Sequence, residues 1–342
     1  MNLADLKETL VQRPAISVTM AAYNVAPYVA ACLDSLLAQD WPDFELIIVD
    51  DASSDGTREI LSDYAARDGR IRLFLQTKNM GLAVARNLGI AEARGDWVTF
   101  LDADDLYSPQ MLRVAIETGR ARGAEMVLWD YVVFTDEDEI ARKRAEPSPM
   151  AYLDPKDRKA LLDRPAFAWT RLVRRDALTR LQIAFARGLT YQDVPVHWAL
   201  VTQLDTIALV PQRLAYYRQQ PQATTAGKGL KRADYFTVLD LVEAYLVENG
   251  LFETFADTLT GRQLNAWHGV HDVIAPEHRA QVEAMIEQRF TDRHRAYLRA
   301  GKPLRWQARA FYRALEGNRF AGWALSARSM LRSLYRRFAR RG

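Results

Sequence analysis

Apolar positions in the first hundred residues follow two alternating periods. Ile16-Ser17-Val18-Thr19-Met20, Phe44 to Val49, Ile71 to Leu75 and the run after Gly95-Asp96 that begins at Trp97 are short and β-prone, so each reads as a strand. Between them the spacing turns helical. Tyr28, Val29, Cys32, Leu33, Leu36 and Leu37 follow a helix start near Pro27, Ile60, Leu61 and Tyr64 mark a second helix, and Arg86, Asn87 and Leu88 lie on a third. Such alternation predicts an α/β fold with a mainly parallel sheet and right-handed crossovers. Further on, Met126 to Phe134 reads as a strand and Thr135 to Pro149 as an exposed loop, charged and proline-bearing. Ile207 to Tyr217 is another β-prone stretch, and from Ala233 the patterns are helical.

Polar residues concentrate where these strands end. Ala21-Ala22-Tyr23-Asn24 follows the first strand, and Asp50-Asp51-Ala52-Ser53-Ser54-Asp55-Gly56-Thr57 follows the second. Phe100-Leu101-Asp102-Ala103-Asp104-Asp105 closes the fourth, ahead of Pro109, a residue suited to a helix start. In a parallel sheet all three fall on one edge, where open α/β sheets bind ligands. Three carboxylates so close repel one another unless a cation lies between them, and hard oxygen donors suit Mg2+ or Mn2+. A solvated acidic turn with a helix-capping Asp is the alternative reading of the same residues. No Gly-x-Gly-x-x-Gly follows the first strand and no Gly-Lys-Ser/Thr loop is present, which removes the main support for a dinucleotide or P-loop site.

Composition narrows the class. With 342 residues, 49% hydrophobic and 26% charged, the chain has room for about two ordinary globular domains. Its single cysteine, Cys32, lies on an apolar helical stripe, so a buried structural thiol is expected and an internal disulfide framework is excluded. The first eleven residues resemble neither a signal peptide nor a transit peptide, and no run is long enough to span a bilayer, so a cytoplasmic protein is expected. The net charge of +3 hides a basic C-terminal region that begins near Arg289.

Four segments in order, namely Ser17 to Asn24, Asp50 to Thr57, Asn79 to Asn87 and Phe100 to Asp105, strongly resemble a family-2 glycosyltransferase of the bacterial polysaccharide type. The resemblance covers about the first 110 residues and implies the GT-A fold, a Rossmann-like sheet flanked by helices, here with a helical C-terminal extension. It implies a glycosyltransferase domain over residues 1–230, divided into a nucleotide-binding half (14–110) and an acceptor half (111–230), with residues 231–342 as the basic helical extension.

The same resemblance assigns roles. Ala21, Tyr23 and Asn24 would line the nucleotide, with Tyr23 packed on the base and Asp51 accepting a hydrogen bond from uracil. Asp102-Ala103-Asp104 looks like the family's DXD motif, with Asp102 near the ribose and the metal's waters and Asp104 as the direct ligand of Mn2+ or Mg2+. Arg86 would add charge at the diphosphate, a helix-surface salt bridge being its alternative reading. Tyr191-Gln192-Asp193 resembles the family's Glu-Asp motif, with Asp193 as catalytic base and Gln192 where glutamate is usual; a helix N-cap is the alternative reading of Asp193. Trp169-Thr170-Arg171-Leu172 resembles an acceptor-side segment that often carries Lys where Arg171 stands. Tyr216-Tyr217-Arg218, followed by Thr224 and Thr225, resembles a segment that closes over the diphosphate, with Arg218 as a phosphate clamp.

The implied activity is inverting, metal-dependent transfer of a sugar, of hexosyltransferase type, from a UDP-sugar to a saccharide or lipid-linked saccharide hydroxyl in cell-surface polysaccharide biosynthesis. A nucleotidyltransferase would need a basic, glycine-rich triphosphate loop, which Ala21 to Asn24 does not supply. A non-catalytic adaptor with the same fold is the alternative of another class. Residues 328–341 fit a helix with Met330, Leu331, Leu334, Tyr335 and Phe338 on one stripe and arginines around it. Such a helix suits an anionic membrane surface, on the cytoplasmic face of the inner membrane, with a helix that packs its stripe on the protein and solvates its arginines as the alternative reading; Trp306, Phe311 and Tyr312 are expected to continue the same surface. No nucleic-acid-binding signature accompanies the charge, so no nucleic-acid partner is expected.

Overall fold

The computed structural model describes residues 13–219 and 227–316. Its contacts divide the chain into two compact units, Met1–Ala223 and Thr224–Gly342.

The first unit is built on β1 (Ile16–Ala22), β2 (Phe44–Asp50), β3 (Ile71–Leu75) and β4 (Trp97–Asp102). Nearly every residue of β1 and β2 is buried, as expected of parallel strands covered on both faces. Helix α1 (Ala26–Leu37) joins β1 to β2, α2 (Thr57–Arg67) joins β2 to β3, and α3 (Leu82–Glu92) joins β3 to β4. Helix α1 has Pro27 in its first turn, no side-chain N-cap bond, and buries Val29, Cys32, Leu33 and Leu36. Packing at about 1.5–3 kcal/mol for each buried side chain therefore holds it, not capping at about 1 kcal/mol. Cys32 is wholly buried, as its place on that stripe predicts.

The second half of the unit completes one eight-stranded sheet with β5 (Leu106–Tyr107), β6 (Met126–Phe134), β7 (Arg171–Arg174) and β8 (Ile207–Arg218), in the order β3-β2-β1-β4-β7-β6-β8-β5. Helix α4 (Met111–Arg122) precedes β6. Three short helices, α5 (Asp138–Arg144), α6 (Arg158–Asp163) and α7 (Arg175–Arg180), and then α8 (Asp193–Gln203) lie between β6 and β8. The sheet is more mixed than expected, because β7 runs antiparallel to both β4 and β6 and β5 runs antiparallel to β8. The chain runs outward from β1 to β3 and then returns to β4 on the other side of β1. That reversal opens a crevice at the carboxyl ends of β1 and β4, where Ala21 stands opposite Asp102. Helix α3 packs close against the middle of β1 because Gly89 has no side chain: a Cβ there would lie 2.8 Å from Thr19 Cβ.

Two local expectations fail. The stretch from Thr135 to Pro149 is not all loop, since Asp138 and Glu139 in the first turn and Arg142, Lys143 and Arg144 in the last favour the α5 dipole. Lys143 Nζ also bonds Glu139 at 2.6 Å and the Val133 carbonyl at 2.8 Å. Pro109 does not start a helix directly either; α4 begins at Met111, after β5 has paired with β8.

Among the described residues the second unit holds the helices α9 (Asp234–Glu248), α10 (Phe252–Val273), α11 (Arg279–Arg289), α12 (Asp292–Arg299) and α13 (Trp306–Leu315). Phe236, Leu264, Trp267, Ile286 and Tyr312 belong to its core. Phe311 and Tyr312 are buried there, and the Tyr312 hydroxyl donates to the Leu264 carbonyl, so neither continues an exposed surface as expected. Of that trio only Trp306 is exposed. The amphipathic stretch at 328–341 lies outside the described residues, as do Thr224 and Thr225. No described helix is long and apolar enough to cross a membrane.

Candidate active site

The loop after β2 is held from within. Asp50 is wholly buried and takes Arg58 Nη2 at 2.7 Å, while Asp55 accepts from the Ala26 amide at 3.1 Å and from the Thr57 amide at 3.1 Å. Asp51, only 3% exposed, accepts the Met80 amide at 2.7 Å on one oxygen and the Gly81 amide at 2.8 Å on the other. It thereby pins the start of α3 to the end of β2, and each of its oxygens retains a second lone pair. Asn24 (φ 51°) and Ala52 (φ 63°) both take the left-handed conformation beside this loop. Asn24 Oδ1 accepts from the Ser54 amide at 2.9 Å, so the first two strand-end loops are tied together. Tyr23 is 48% exposed, so it is not a core aromatic.

Beyond β4 the acidic turn is largely enclosed. The Tyr107 hydroxyl donates to the Asp102 carbonyl at 3.0 Å and accepts the Asp102 amide at 2.9 Å. Asp105 is buried and receives the Arg218 amide at 2.8 Å on one oxygen, while its other oxygen has no partner among the described residues. Burial, with Asp102 next to it, pushes Asp104 up to about 6, and burial together with Asp104 raises Asp105 strongly. A solvated helix-capping turn does not fit, because these groups are enclosed and Gln110 stands at the N-cap of α4.

Burial and mutual repulsion push Asp104 and Asp105 towards protonation, a strain that a hard divalent cation would relieve, and Asp102 and Asp104 could hold one. Among the described residues no three acidic, His or Cys side chains form a complete cage. A cation bound by one or two carboxylates and completed by substrate phosphates needs no more.

Across the crevice lies Asp193, the first residue of α8. Gln192 takes the N-cap position without a side-chain cap bond, so the capping alternative for Asp193 fails. Tyr191 before it is left-handed (φ 62°). Arg86 on α3 connects the two acidic clusters, with Nη2 2.7 Å from Asp102 Oδ1 and Nη1 4.0 Å from Asp193 Oδ2. Its side chain is only 5% exposed, which excludes a helix-surface salt bridge. Burial disfavours its charge, yet Asp102 and then Asp193 outweigh that and raise its pKa. Asp193 is raised by burial, and Arg86 pulls it the other way.

Asn87 lies within the Asn79 to Asn87 motif without an assigned role, and Phe185 lies in no motif. Asn87 Nδ2 donates to the Phe185 carbonyl at 2.9 Å and its Oδ1 accepts the Phe185 amide at 2.8 Å. The Phe185 ring then lies 5.3 Å from the Arg86 guanidinium. This paired bond staples the loop ahead of Asp193 to α3. The only signal in the sequence was an amide side chain next to Arg86.

The segment that the resemblance assigns to the acceptor side lies in an aromatic cluster. Phe167 and Trp169 stack with ring centroids 4.8 Å apart, Trp169 stacks on Tyr217 at 5.6 Å, and Tyr131 meets Trp169 edge-on at 5.1 Å. Arg171 is buried, and burial lowers its pKa to about 10 against the pull of Asp193. Gln192 is buried, with its Oε1 unpartnered among the described residues. Arg218 Nε donates to the Asp104 carbonyl at 3.1 Å, and its guanidinium lies over the Phe134 ring at 4.7 Å. The sequence-derived candidates from Ala21 to Arg218, with Ala103 buried beneath the acidic turn, therefore all belong to the first unit.

A sheet that reverses at β1/β4, with carboxylates on both sides of its crevice, is the architecture of a GT-A glycosyltransferase. The family model for glycosyl transferase family 2 matches residues 17–181, and the chain belongs to that family. It is 30% identical over 217 residues to TuaG of Bacillus subtilis (strain 168), a glycosyltransferase provisionally named for teichuronic acid biosynthesis, covering 63% of this chain and 83% of TuaG. Matches to the glycosyltransferases EpsJ and EpsH of the same organism span only 63% and 51% of those proteins. In structure the chain is similar to S. aureus TarS (1–349) in complex with UDP-GlcNAc, with TM-score 0.60 and 18% identity over 85% of this chain and 93% of that one. It also resembles the mannosyltransferase PcManGT from Pyrobaculum calidifontis in complex with GDP-Man and Mn2+, with TM-score 0.53 and 18% identity over 84% of each chain.

Proposed function

We propose that the chain transfers a sugar, with inversion, from a UDP-sugar to a hydroxyl of a saccharide or lipid-linked saccharide in polysaccharide biosynthesis. One observation carries this reading: Asp102 and Asp193, on opposite sides of the crevice, share the Arg86 guanidinium. Residues 14–110 form the nucleotide half, with Tyr23 against the base and Asp51 towards uracil, and residues 111–230 form the acceptor half. When bound at Asp102 and Asp104, Mn2+ or Mg2+ neutralises charge on the departing diphosphate. Asp193 takes the proton of the acceptor hydroxyl as its oxygen attacks C1 from the face opposite the leaving group. Arg86 holds the two carboxylates in register, and Arg218 turns towards the diphosphate beside Asp104.

TarS and PcManGT, with UDP-GlcNAc and with GDP-Man and Mn2+ in their complexes, support the choice of a nucleotide-sugar donor and a divalent metal. Names of relatives in teichuronic acid and succinoglycan biosynthesis support the choice of a polysaccharide product. The deciding experiment is hydrolysis of a panel of UDP-sugars with Mn2+, expected to proceed for one donor and to vanish in Asp104→Ala. No hydrolysis of any donor in the wild type would favour the non-catalytic adaptor. The basic stripe at 328–341 is proposed to hold the enzyme on anionic lipid at the cytoplasmic membrane face, close to a lipid-linked acceptor.

A further inference from the structure

Arg171 is a buried cation whose donors are mostly unused. It is 1% exposed, Nη2 donates to the Phe167 carbonyl at 2.8 Å, and neither Nε nor Nη1 has a hydrogen-bond partner among the described residues. Among the described residues its guanidinium pairs with no carboxylate within ion-pair distance, whereas Arg86 already answers Asp102 and Arg164 answers Asp130 at 3.5 Å. A buried charge with free donors costs several kcal/mol unless a counter-charge reaches it.

The register gives its position. Arg171 opens β7 opposite Leu128 of β6, at the sheet edge where β4 ends two residues beyond Thr99↔Leu172 in Leu101-Asp102. The field of Asp193 acts on it from the base side of the crevice. Phe167, whose carbonyl takes Nη2, and Tyr217 both stack on Trp169, and these partly exposed rings offer a surface on which a sugar ring can lie.

We propose that Arg171 reads a carboxylate or phosphate carried by a sugar bound in the crevice, so that the enzyme works on an anionic saccharide. The inference rests on the transferase reading above and adds the charge of the substrate to it. With Nε and Nη1 idle and one Nη2 hydrogen spent on Phe167, the second Nη2 hydrogen can complete a forked edge for a two-oxygen anion, which an ammonium in that position meets only as a point charge. The anion belongs either to the acceptor or to the sugar of the donor, and the two sources separate experimentally.

Protein loaded with UDP and Mn2+ is titrated with methyl β-glucuronide, glucose 6-phosphate and methyl β-glucoside, followed by saturation-transfer NMR. In a second arm, UDP-glucuronate and UDP-glucose are compared by calorimetry. In one of the two arms the charged sugar is expected to bind about tenfold tighter than the neutral one, the size of a charge-assisted hydrogen bond. Arg171→Met should bring that preference to within about twofold, and Arg171→Lys should leave an intermediate value. The responding arm identifies the sugar that bears the charge. Equal binding of charged and neutral sugars in both arms overturns the proposal, as does a preference that survives in Arg171→Met. Melting curves verify that the variants fold. Wild-type protein that fails to bind UDP at all refutes the transferase reading together with the inference, whereas UDP binding without charge discrimination refutes only the role of Arg171.

Discussion

Asp102 and Asp193, far apart in the chain, are joined in the fold by one buried guanidinium, with Arg86 at 2.7 Å from the first and 4.0 Å from the second. Removing that cation leaves two partly buried carboxylates, their side chains 27% and 21% exposed, without their shared counter-charge. Arg86→Met is therefore expected to cost about 3–5 kcal/mol of stability, the usual result of breaking a buried ion pair from one side. Urea denaturation measures it. Arg86→Lys should lose less, since it keeps the charge but not the fork that reaches both partners. A Met variant as stable as the wild type would mean that the two carboxylates do not depend on Arg86.

Asp193→Asn keeps the shape of the side chain and removes its basicity. Transfer is expected to fall about 10²–10⁴-fold, the range that general-base catalysis supplies, while UDP affinity stays within error. Because burial raises the pKa of Asp193, it takes up its proton at a higher pH than an ordinary carboxylate. Turnover should accordingly rise with pH through that raised value and be lost below it. A kcat profile that is flat down to the ordinary carboxylate range would remove Asp193 as the base.

Asp104 sets stability against function. Its ordinary value of 3.8 is raised to about 6, so at neutral pH the folded, metal-free protein carries a charge that burial penalises. The sign follows from linkage: above the unfolded value the unfolded chain ionises more readily, so this group weakens the fold as pH rises from about 4 to 6, and the loss persists above 6. Asp104→Asn should therefore raise the stability of metal-free protein at pH 7 by up to about 2 kcal/mol while ending Mn2+-dependent hydrolysis. Mn2+ with UDP should raise the melting temperature of the wild type and leave that of the variant unmoved. Removal of the metal by a chelator should return the wild type to its metal-free melting temperature.

The first four strands and their loops were legible because the polar clusters sit at strand ends, where strand and loop have sharply different residue patterns. β1, β2 and β4 and the loops after them lie where those patterns put them. Legibility fades where partners come from distant segments. Nothing near Arg86 in the sequence announces Asp193, and nothing near Asn87 announces Phe185, because loop 181–192 is brought to α3 by the tertiary fold. The antiparallel insertion of β7 was missed for a similar reason. Arg171 to Arg174 is too short a run to display a period, and its pairing with β4 and β6 decides its conformation. Phe311 and Tyr312 misled in the opposite direction: a basic amphipathic helix has the same pattern whether its apolar stripe meets lipid or a protein core.

For the stripe at residues 328–341, deletion of 328–342 separates those two destinations. Loss of the segment should leave UDP-sugar hydrolysis intact, since the candidates from Ala21 to Arg218 all belong to the first unit. Sedimentation with vesicles rich in phosphatidylserine should weaken strongly, because each arginine near an anionic surface contributes about 1 kcal/mol and the segment carries several of them. Raising the salt concentration should weaken the binding of the full chain as well, as screening removes that attraction. If the deleted protein bound vesicles as well as the full chain, the stripe would have some other destination and the membrane proposal would be withdrawn.

The C-terminal unit carries a titration of its own. His294 is 1% exposed, accepts the Thr291 amide on Nδ1 at 3.2 Å and meets Gln263 Oε1 through Nε2 at 3.1 Å. An acceptor on one ring nitrogen and a donor on the other require the neutral ring. Burial and then the Arg293 charge lower its pKa from 6.5 to about 4. Between those values the unfolded chain binds a proton that the folded one refuses, so stability is fully present above about 6.5 and declines as the pH falls to about 4. The shift corresponds to about 3 kcal/mol over that interval, at 1.36 kcal/mol per pH unit. Urea denaturation at pH 7, 5.5 and 4.5, followed by the near-ultraviolet signal of Trp267, which lies 4.9 Å from the His294 ring, should reveal the decline. His294→Gln removes the titrating group, so its stability should change less across the same range. An equal loss in the variant would assign the acid sensitivity to other groups.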